Sequence, residues 1–155
     1  MTLSQKLADL GIDLPAVATP AGAYVPAKVH GDLVYTAGQL PFVAGTLLAT
    51  GKVGDGHGLV PAGDAHQYAR LSALNAVAAA AAAVGDVDRI TGVLKVTGFV
   101  ASAPGFTGQP GVINGASELL GELFGDDGRH ARSAVGVAVL PLDSPVEVEV
   151  VFTVS

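Results

Sequence analysis

The chain has 155 residues, enough for a single domain over residues 1–155 with a hydrophobic core of its own. Apolar residues make up 50% of the sequence and charged residues only 14%, so we expect part of the surface to be apolar and to contact another subunit. Acidic residues outnumber basic ones by 14 to 8, which disfavours a nucleic-acid partner because binding to a phosphate backbone needs clustered Lys and Arg.

The composition also excludes several kinds of site. The chain contains no cysteine, which rules out disulfides, thiolate nucleophiles and zinc–thiolate centres. Its N-terminus lacks the basic start and apolar core of a secretory signal, so we expect a cytoplasmic protein. The most apolar stretch, residues 73–84, is shorter than the roughly 20 residues that cross a bilayer and contains Asn75. We therefore expect no membrane partner.

The N-terminal third is predicted to form one short helix and a hairpin. Residues 4–10 favour a helix capped by Ser4. Two apolar runs, residues 23–29 and 33–39, are joined by a His-Gly-Asp turn and predict an antiparallel hairpin. The sequence GTLLATG, residues 45–51, favours a third short strand.

A long alanine-rich helix is predicted next. Asp64 followed by Gln67 has the spacing of a capping box, and the helix then runs to about Val84, with Gly85 as its end. Its small side chains would let it lie close against a sheet. A strand is predicted over residues 93–100.

The last third is predicted to contain a second helix and a hairpin. The helix begins near Pro110 and ends at Gly125, and strands over residues 133–140 and 146–154 follow, joined by the turn sequence PLDSP. The order of elements predicts an α+β sandwich in which two main helices cover one face of a mixed sheet of about six strands.

Three polar features of these elements are candidate functional residues. Arg132 opens an apolar strand, so it either reaches solvent or binds an anion. Glu147 and Glu149 alternate with valines and share one sheet face, which is either a solvated face or the wall of a cleft in which a carboxylate activates water. Asn114, early in the second helix, faces either solvent or the strands beneath it.

The other motifs give little support for a functional site. The glycines of residues 51–58 have the wrong spacing for a phosphate loop, and His57 and His66 lack a spacing that fixes a metal. Ser117 lies inside the second helix without a nucleophile elbow. His130 stands two residues before Arg132 and could approach the same site, but it lies in a turn rich in Asp and Gly, so we expect it to be exposed. We therefore expect no metal and no organic cofactor.

Four stretches together resemble the YjgF/Rid family, the reactive-intermediate deaminases that are also called endoribonuclease L-PSP. They are AYVPAKVHGDLVYTAGQLP, VLKVTGFVASAPGF, VINGASELL and RHARSAVGVAVLPLDSPVEVEV. The resemblance covers about residues 20–155 and leaves residues 1–20 as the N-terminal extension of a distinct branch. It implies a chorismate-mutase-like fold and a homotrimer with clefts between subunits.

The resemblance also implies roles for individual residues. Arg132 corresponds to the arginine that binds the carboxylate of a 2-imino or 2-enamino acid, and Glu147 to the acid that holds or activates the hydrolytic water. Tyr24, Gly38 and Asn114 match residues that line the pocket.

The sequence departs from the family pattern at two positions that affect the substrate pocket. Ala37 stands where a serine is common, and Ala134 where many members have cysteine, so the volume and polarity of the pocket differ. The implied reaction is hydrolysis to a 2-keto acid and ammonia. The alternative is a non-catalytic protein that binds keto acids or related carboxylates. The acidic composition disfavours a ribonuclease, and a chorismate-mutase-like rearrangement rests on fold analogy alone.

The predicted final hairpin separates the two principal candidates. If its strands pair, Arg132 lies near Val154, about seven residues or roughly 23 Å from Glu147. Simple alternation also puts the two side chains on opposite faces of the sheet. A cleft between two subunits would resolve the distance, whereas a shared face would need a bulge.

Overall fold

The computed structural model describes residues 1–155, which form three α-helices, a five-stranded sheet and a separate two-stranded ribbon. The helices are α1 Leu3–Asp9, α2 Ala62–Val84 and α3 Gln109–Phe124. The strands are β1 Ala27–His30, β2 Leu33–Thr36, β3 Phe42–Val43, β4 Thr46–Leu47, β5 Ile90–Ala101, β6 Ala131–Val137 and β7 Val146–Val154. None of the three helices combines the length and the apolar character that a membrane span requires.

The main sheet has the strand order β1-β2-β7-β5-β6. Strands β5 and β6 are parallel and every other pair is antiparallel, so the sheet is mixed. Helices α2 and α3 pack together on one face of it. The α+β sandwich expected from the sequence is confirmed, with five strands in the sheet and β3 and β4 outside it.

The predicted hairpin of the last two strands is wrong. Strand β6 follows β5 through helix α3 and pairs parallel to it, whereas β7 lies on the other side of β5. Residues 138–145 therefore cross the end of β5, a width of roughly 10 Å, instead of forming a tight turn. Arg132 lies beside Val96, and Val96 lies opposite Val150, so Arg132 is not level with Val154.

The core lies between the sheet and the two long helices. Alternate residues of β7 are buried beneath the helices, and these are Val146, Val148, Val150, Phe152 and Val154. The alanine-rich α2 contributes a face of fully buried small side chains, including Ala69, Ala73 and Ala76. A Cβ on Gly115 of α3 would collide with the main-chain carbonyl of His66, so the two helices approach at backbone distance.

Helix α1 is attached to the domain by hydrogen bonds of Ser4 and by two buried leucines. Its cap is Thr2 and not the predicted Ser4, because Thr2 and Gln5 form the capping box. Ser4 instead donates from its backbone N–H and its hydroxyl to Asp88, at 2.7 and 2.8 Å, and these bonds lower the pKa of Asp88. Leu3 and Leu7 are buried. The extension therefore begins with a helix that is fixed on the body of the domain.

Other predicted boundaries shift by a few residues. Helix α2 begins after Pro61, so Asp64 lies inside the first turn and makes no capping bond. The first hairpin is shorter than predicted: β1 begins only after Pro26, and β2 ends before Ala37. Because proline has no N–H, Pro26 cannot extend the hydrogen-bonded ladder as a donor, although its carbonyl accepts from Ala37 N at 2.8 Å.

Candidate functional site

Arg132 lies on β6 on the helix-covered side of the sheet. Its Nη1 donates to Asn114 Oδ1 at 2.7 Å and to Ser117 Oγ at 3.2 Å, and its Nη2 donates to the Pro110 carbonyl at 3.3 Å. Asn114 and Ser117 are three residues apart on α3 and so point to the same side of the helix. The guanidinium is thus fixed by one face of α3.

The positive charge of Arg132 has no acidic partner. The arginine–carboxylate ion pairs of the chain lie elsewhere and join Arg70 to Glu122 and Arg129 to Asp126, and His66 contacts Glu118 at 3.0 Å. All of the acceptors around Arg132 are neutral oxygens. A partly buried guanidinium held by neutral groups retains its full charge for an external anion, which is the arrangement that suits carboxylate binding.

The sequence did not assign Ser117 or His130 a role in supporting Arg132. The Oγ of Ser117 lies 2.9 Å from Nε2 of His130, and Nδ1 of His130 lies 2.6 Å from the Gly128 carbonyl. His130 is therefore half-buried and hydrogen-bonded at both ring nitrogens, so the expectation of an exposed histidine is wrong. These groups line an open polar depression of about 380 Å³. Its lining is Ser117, Gly121, Gly125, Gly128, Arg129, His130 and Arg132.

Glu147 lies in a second cleft, on the sheet face that the helices leave uncovered. This cleft has a volume of about 430 Å³, and three of the predicted site residues, Tyr24, Gly38 and Glu147, line it together. Most of the remaining lining is small or apolar, with Pro26, Leu40, Phe42 and Leu142 among it.

The carboxylate of Glu147 is in an environment that disfavours its charge. Burial raises the pKa of Glu147 above its usual value, and the charge of Glu149, two residues further along the same face, raises it further. No group of the chain donates a hydrogen bond to it, in contrast to Glu122, whose pKa is lowered by the hydrogen bond from Arg70. Glu147 is thus an unengaged proton acceptor in a mostly apolar cleft.

Gly38 leaves room for the carboxylate of Glu147 to lie against the backbone. A Cβ added at residue 38 would lie 2.7 Å from Cδ of Glu147, well inside contact distance. The backbone of Gly38 therefore forms the floor on which this carboxylate lies. The match of Gly38 to a cleft glycine, drawn from the resemblance, now has a steric reason.

The N-terminal extension contributes one wall of the Glu147 cleft. Residues 18–21 line it, and the backbone of residues 13–20 makes no hydrogen bond to the rest of the chain. Residues 15–19 also line an adjoining cavity of about 420 Å³, and Phe42 lies between the two cavities. This wall was not predicted, because an irregular segment without turn motifs has no periodicity to interpret.

The side chains of Ala37 and Ala134 line neither space. The N–H of Ala37 bonds Pro26, and its carbonyl accepts from the Gln39 amide at 3.2 Å. Ala134 is paired with Gly98 in register and packs against the core below α3. Within one chain, these two positions are therefore outside the cavities around Arg132 and Glu147.

A single chain does not bring Arg132 and Glu147 together. Their side chains lie on opposite faces of the sheet, as strand alternation predicts, and β5 separates their strands. The bulges between β5 and β7 lie near residues 90–95, away from Glu147. The chain contains no group of three or more His, Asp or Glu that could hold a metal ion.

Comparison with known proteins gives consistent matches over nearly the whole chain. Residues 4–153 match the family described as "YjgF/chorismate_mutase-like, putative endoribonuclease". Protein TCP17 of Trypanosoma cruzi is 43% identical over 150 residues, which cover 95% of this chain and 91% of that protein.

Two solved structures show the same fold. Atu1372 from Agrobacterium tumefaciens, a protein of unknown function, has a TM-score of 0.86 at 40% identity, covering 99% of this chain and 92% of its own. Escherichia coli TdcF with bound serine has a TM-score of 0.64 at 26% identity, covering 92% of this chain and 94% of its own. The chorismate-mutase-like fold expected from the sequence is thereby confirmed.

Proposed function

Because the chain belongs to the YjgF/chorismate-mutase-like family, we propose that it hydrolyses small 2-imino or 2-enamino acids to 2-keto acids and ammonia. The observation that carries the proposal is the guanidinium of Arg132, which is fixed by neutral oxygens and has no acidic partner. A cation prepared in this way has the charge and geometry to bind the carboxylate that all of these substrates share.

The unused donors of Arg132 suit a carboxylate. Of the five N–H groups of a guanidinium, Nη1 uses its two on Asn114 and Ser117, and Nη2 uses one on Pro110. The Nε–H and one Nη2–H remain free, which is enough for two hydrogen bonds to one carboxylate group. Such a pair fixes the orientation of the substrate as well as its position.

The chemical step requires one water and one proton acceptor. The water oxygen attacks C2 of the protonated imine, and the electrons of the C=N bond move to nitrogen. Glu147 in its ionised form accepts a proton from this water, and the proton then passes to the amine. The C–N bond breaks as the hydroxyl on C2 gives its remaining proton to Glu147 and becomes the carbonyl. The products are a 2-keto acid and ammonia, which takes up that proton and leaves as ammonium. Because the protonated imine is already electrophilic, this chemistry needs no metal or organic cofactor.

A homotrimer would supply both parts of the site. We propose that each cleft takes Arg132 and Asn114 from one subunit and Tyr24, Gly38 and Glu147 from the next. The sheet face away from the helices supports such an interface, since Tyr35 and Val135 are 50% and 42% exposed on it. Arg132 lies on the other face, so it would reach this cleft past the free edge of β6, the last strand of the sheet. In that arrangement Ala37 and Ala134, which line no cavity within one chain, would flank the same cleft.

The apolar lining near Glu147 supports a substrate with a small hydrocarbon side chain. Pro26, Leu40 and Phe42 offer no hydrogen-bonding side chain to such a group. The serine bound to TdcF, which is an α-amino carboxylate, is of the size and charge that we propose for the ligand here.

A second function, binding of keto acids without turnover, shares the Arg132 site. It is favoured by the separation of Arg132 from Glu147 within one chain, since Arg132 alone can bind a carboxylate whereas hydrolysis also needs the carboxylate of Glu147. A ribonuclease is disfavoured because the net charge is −6 and the depression around Arg132 contains only one other cationic side chain that is always charged, Arg129.

The test is hydrolysis of freshly generated 2-iminobutanoate, followed as ammonia release above the buffer rate. Wild-type protein should accelerate release, whereas Arg132→Ala and Glu147→Gln should not. A wild-type rate equal to that of buffer would rule out the deaminase. In that event, thermal stabilisation by 2-ketobutyrate in wild type and not in Arg132→Ala would identify the binding protein instead.

A further inference from the structure

We infer that His130 is a positioning residue for Arg132, acting through the hydroxyl of Ser117. The inference rests on the proposed role of Arg132 in binding a carboxylate, and it adds two residues that neither the family resemblance nor the sequence pattern assigned. Its basis is a continuous line of hydrogen bonds from the Gly128 carbonyl to the guanidinium.

The first bond of this line determines where the imidazole carries its proton. Nδ1 of His130 lies 2.6 Å from the Gly128 carbonyl oxygen, and a carbonyl oxygen can only accept a hydrogen bond. Nδ1 must therefore be the protonated nitrogen. In the neutral ring, Nε2 is then left with a lone pair and can only accept.

The second bond determines the direction of the Ser117 hydroxyl. Its Oγ lies 2.9 Å from Nε2 of His130, so the O–H donates to that nitrogen. The lone pairs of Oγ are then free for Nη1 of Arg132, which lies 3.2 Å away. Each hydrogen bond in the line determines whether the next group donates or accepts, so no two donors face each other.

Loss of the acceptor at residue 130 would change the orientation of the Arg132 guanidinium more than its charge. Without an acceptor at residue 130, the Ser117 hydroxyl can rotate and point its hydrogen elsewhere, including towards Nη1. The guanidinium would then keep only Asn114 and the Pro110 carbonyl, and its free N–H groups would sample more directions. Binding a carboxylate would have to order them again, which lowers the affinity.

Calorimetric titration with 2-ketobutyrate tests this inference. His130→Ala and Ser117→Ala should each weaken binding by about tenfold, the effect of one hydrogen bond. The double variant should be no weaker than either single one, because both changes break the same line. His130→Gln keeps an acceptor for Ser117 and should bind within about threefold of wild type.

His66→Ala is the matched control. His66 also bonds α3, through Glu118 at 3.0 Å, yet has no connection to Arg132, so its removal should leave binding unchanged. Additive losses in the double variant, or a Gln variant as weak as the Ala variant, would overturn the inference. Wild-type affinity in His130→Ala, with binding abolished in Arg132→Ala, would overturn it while leaving the proposed function intact.

A spectroscopic measurement tests the same line without any ligand. The ¹⁵N resonances of His130 at mildly alkaline pH should show the Nδ1–H tautomer, and Ser117→Ala should shift the Nε2 resonance towards that of an unbonded nitrogen. The Nε2–H tautomer would contradict the inference, even if 2-ketobutyrate failed to bind and the proposed function had to be abandoned.

Discussion

Gly38 lies directly against the carboxylate of Glu147, so that a Cβ at residue 38 would come within 2.7 Å of Cδ. The carboxylate can lie there because residue 38, two residues beyond the end of β2, has no side chain, and no hydrogen bond fixes it. Because of this close approach, a substitution at residue 38 can test the role of Glu147 without changing Glu147 itself.

Gly38→Ala should displace the Glu147 carboxylate and lower the turnover of 2-iminobutanoate by roughly 100-fold, because a shift of about 1 Å at a reacting group has effects of this size. Binding of 2-ketobutyrate should change much less, since the α3 groups that hold Arg132 are untouched. Gly63→Ala is the control, because nothing lies within 4 Å of a Cβ there. Full turnover in Gly38→Ala would contradict the role given to Glu147.

Glu147→Gln, made in an Arg132→Ala background so that the cleft holds no guanidinium of a neighbouring subunit, should stabilise the protein at neutral pH. Burial and the Glu149 charge raise the pKa of Glu147 in the folded state, so the ionised side chain costs stability above that pKa. The cost disappears as the pH falls through the raised pKa towards the unfolded value of about 4.3. Melting temperatures should show a gain for Glu147→Gln at about pH 8 that shrinks towards about pH 4.

Asp55→Asn removes an exposed carboxylate and serves as the control for this pH series, with little change expected at either end. A gain from Glu147→Gln that is equal at both ends of the pH range would show that the substitution acts through packing and not through the buried charge.

Phe42→Ala should broaden the substrate range. Phe42 lines both the Glu147 cleft and the adjoining cavity, with volumes of about 430 and 420 Å³, so truncation would join them. The ratio of kcat/KM for 2-imino-4-methylpentanoate to that for 2-iminobutanoate should rise by about tenfold, the effect of one or two methylenes in an apolar pocket. Val43→Ala, an exposed neighbour that lines neither space, should leave the ratio unchanged. An unchanged ratio in Phe42→Ala would exclude this cleft as the side-chain pocket.

Gly115→Ala should destabilise the domain by about 1–3 kcal/mol, because the added methyl would collide with the His66 carbonyl where α2 and α3 meet. Gly121→Ala, six residues along the same helix with no neighbour within 4 Å, should instead stabilise it by about 0.5–1 kcal/mol through helix propensity. Chemical denaturation of the two variants gives both values. Destabilisation by both substitutions would argue against close packing at Gly115.

The sequence was most informative where local patterns decide the structure. The alanine run ended by Gly85, the helix that begins near Pro110 and the alternation of residues 146–154 each appear close to where they were predicted. In these segments, propensity, capping and burial period all favour the same local structure. The α+β class followed from their order.

Strand order was predicted wrongly, because adjacency in the chain does not determine adjacency in the sheet. The turn residues of PLDSP are compatible with a hairpin, yet they form part of a crossing over the end of β5. The preference of β6 to follow α3 as a parallel neighbour of β5 is a property of the whole β5–α3–β6 unit. No local pattern in residues 133–154 indicates this parallel pairing of β6 with β5.

The candidate site was predictable only in part, for a similar reason. The resemblance assigned Arg132, Asn114, Gly38 and Glu147. It did not indicate that Ser117 and His130 are hydrogen-bonded to each other, because these residues are joined by the packing of α3 on β6.

Mixing of two inactive variants tests the central claim most directly, namely that Arg132 of one subunit and Glu147 of its neighbour act in one cleft. Arg132→Ala and Glu147→Gln subunits, unfolded together and refolded in equal amounts, would rebuild an intact cleft wherever an Arg132 from one variant meets a Glu147 from the other. In a cyclic homotrimer about a quarter of the clefts would be intact. The account therefore predicts recovery of about a quarter of the wild-type deaminase rate, and a refolded mixture as inactive as its two components would contradict it.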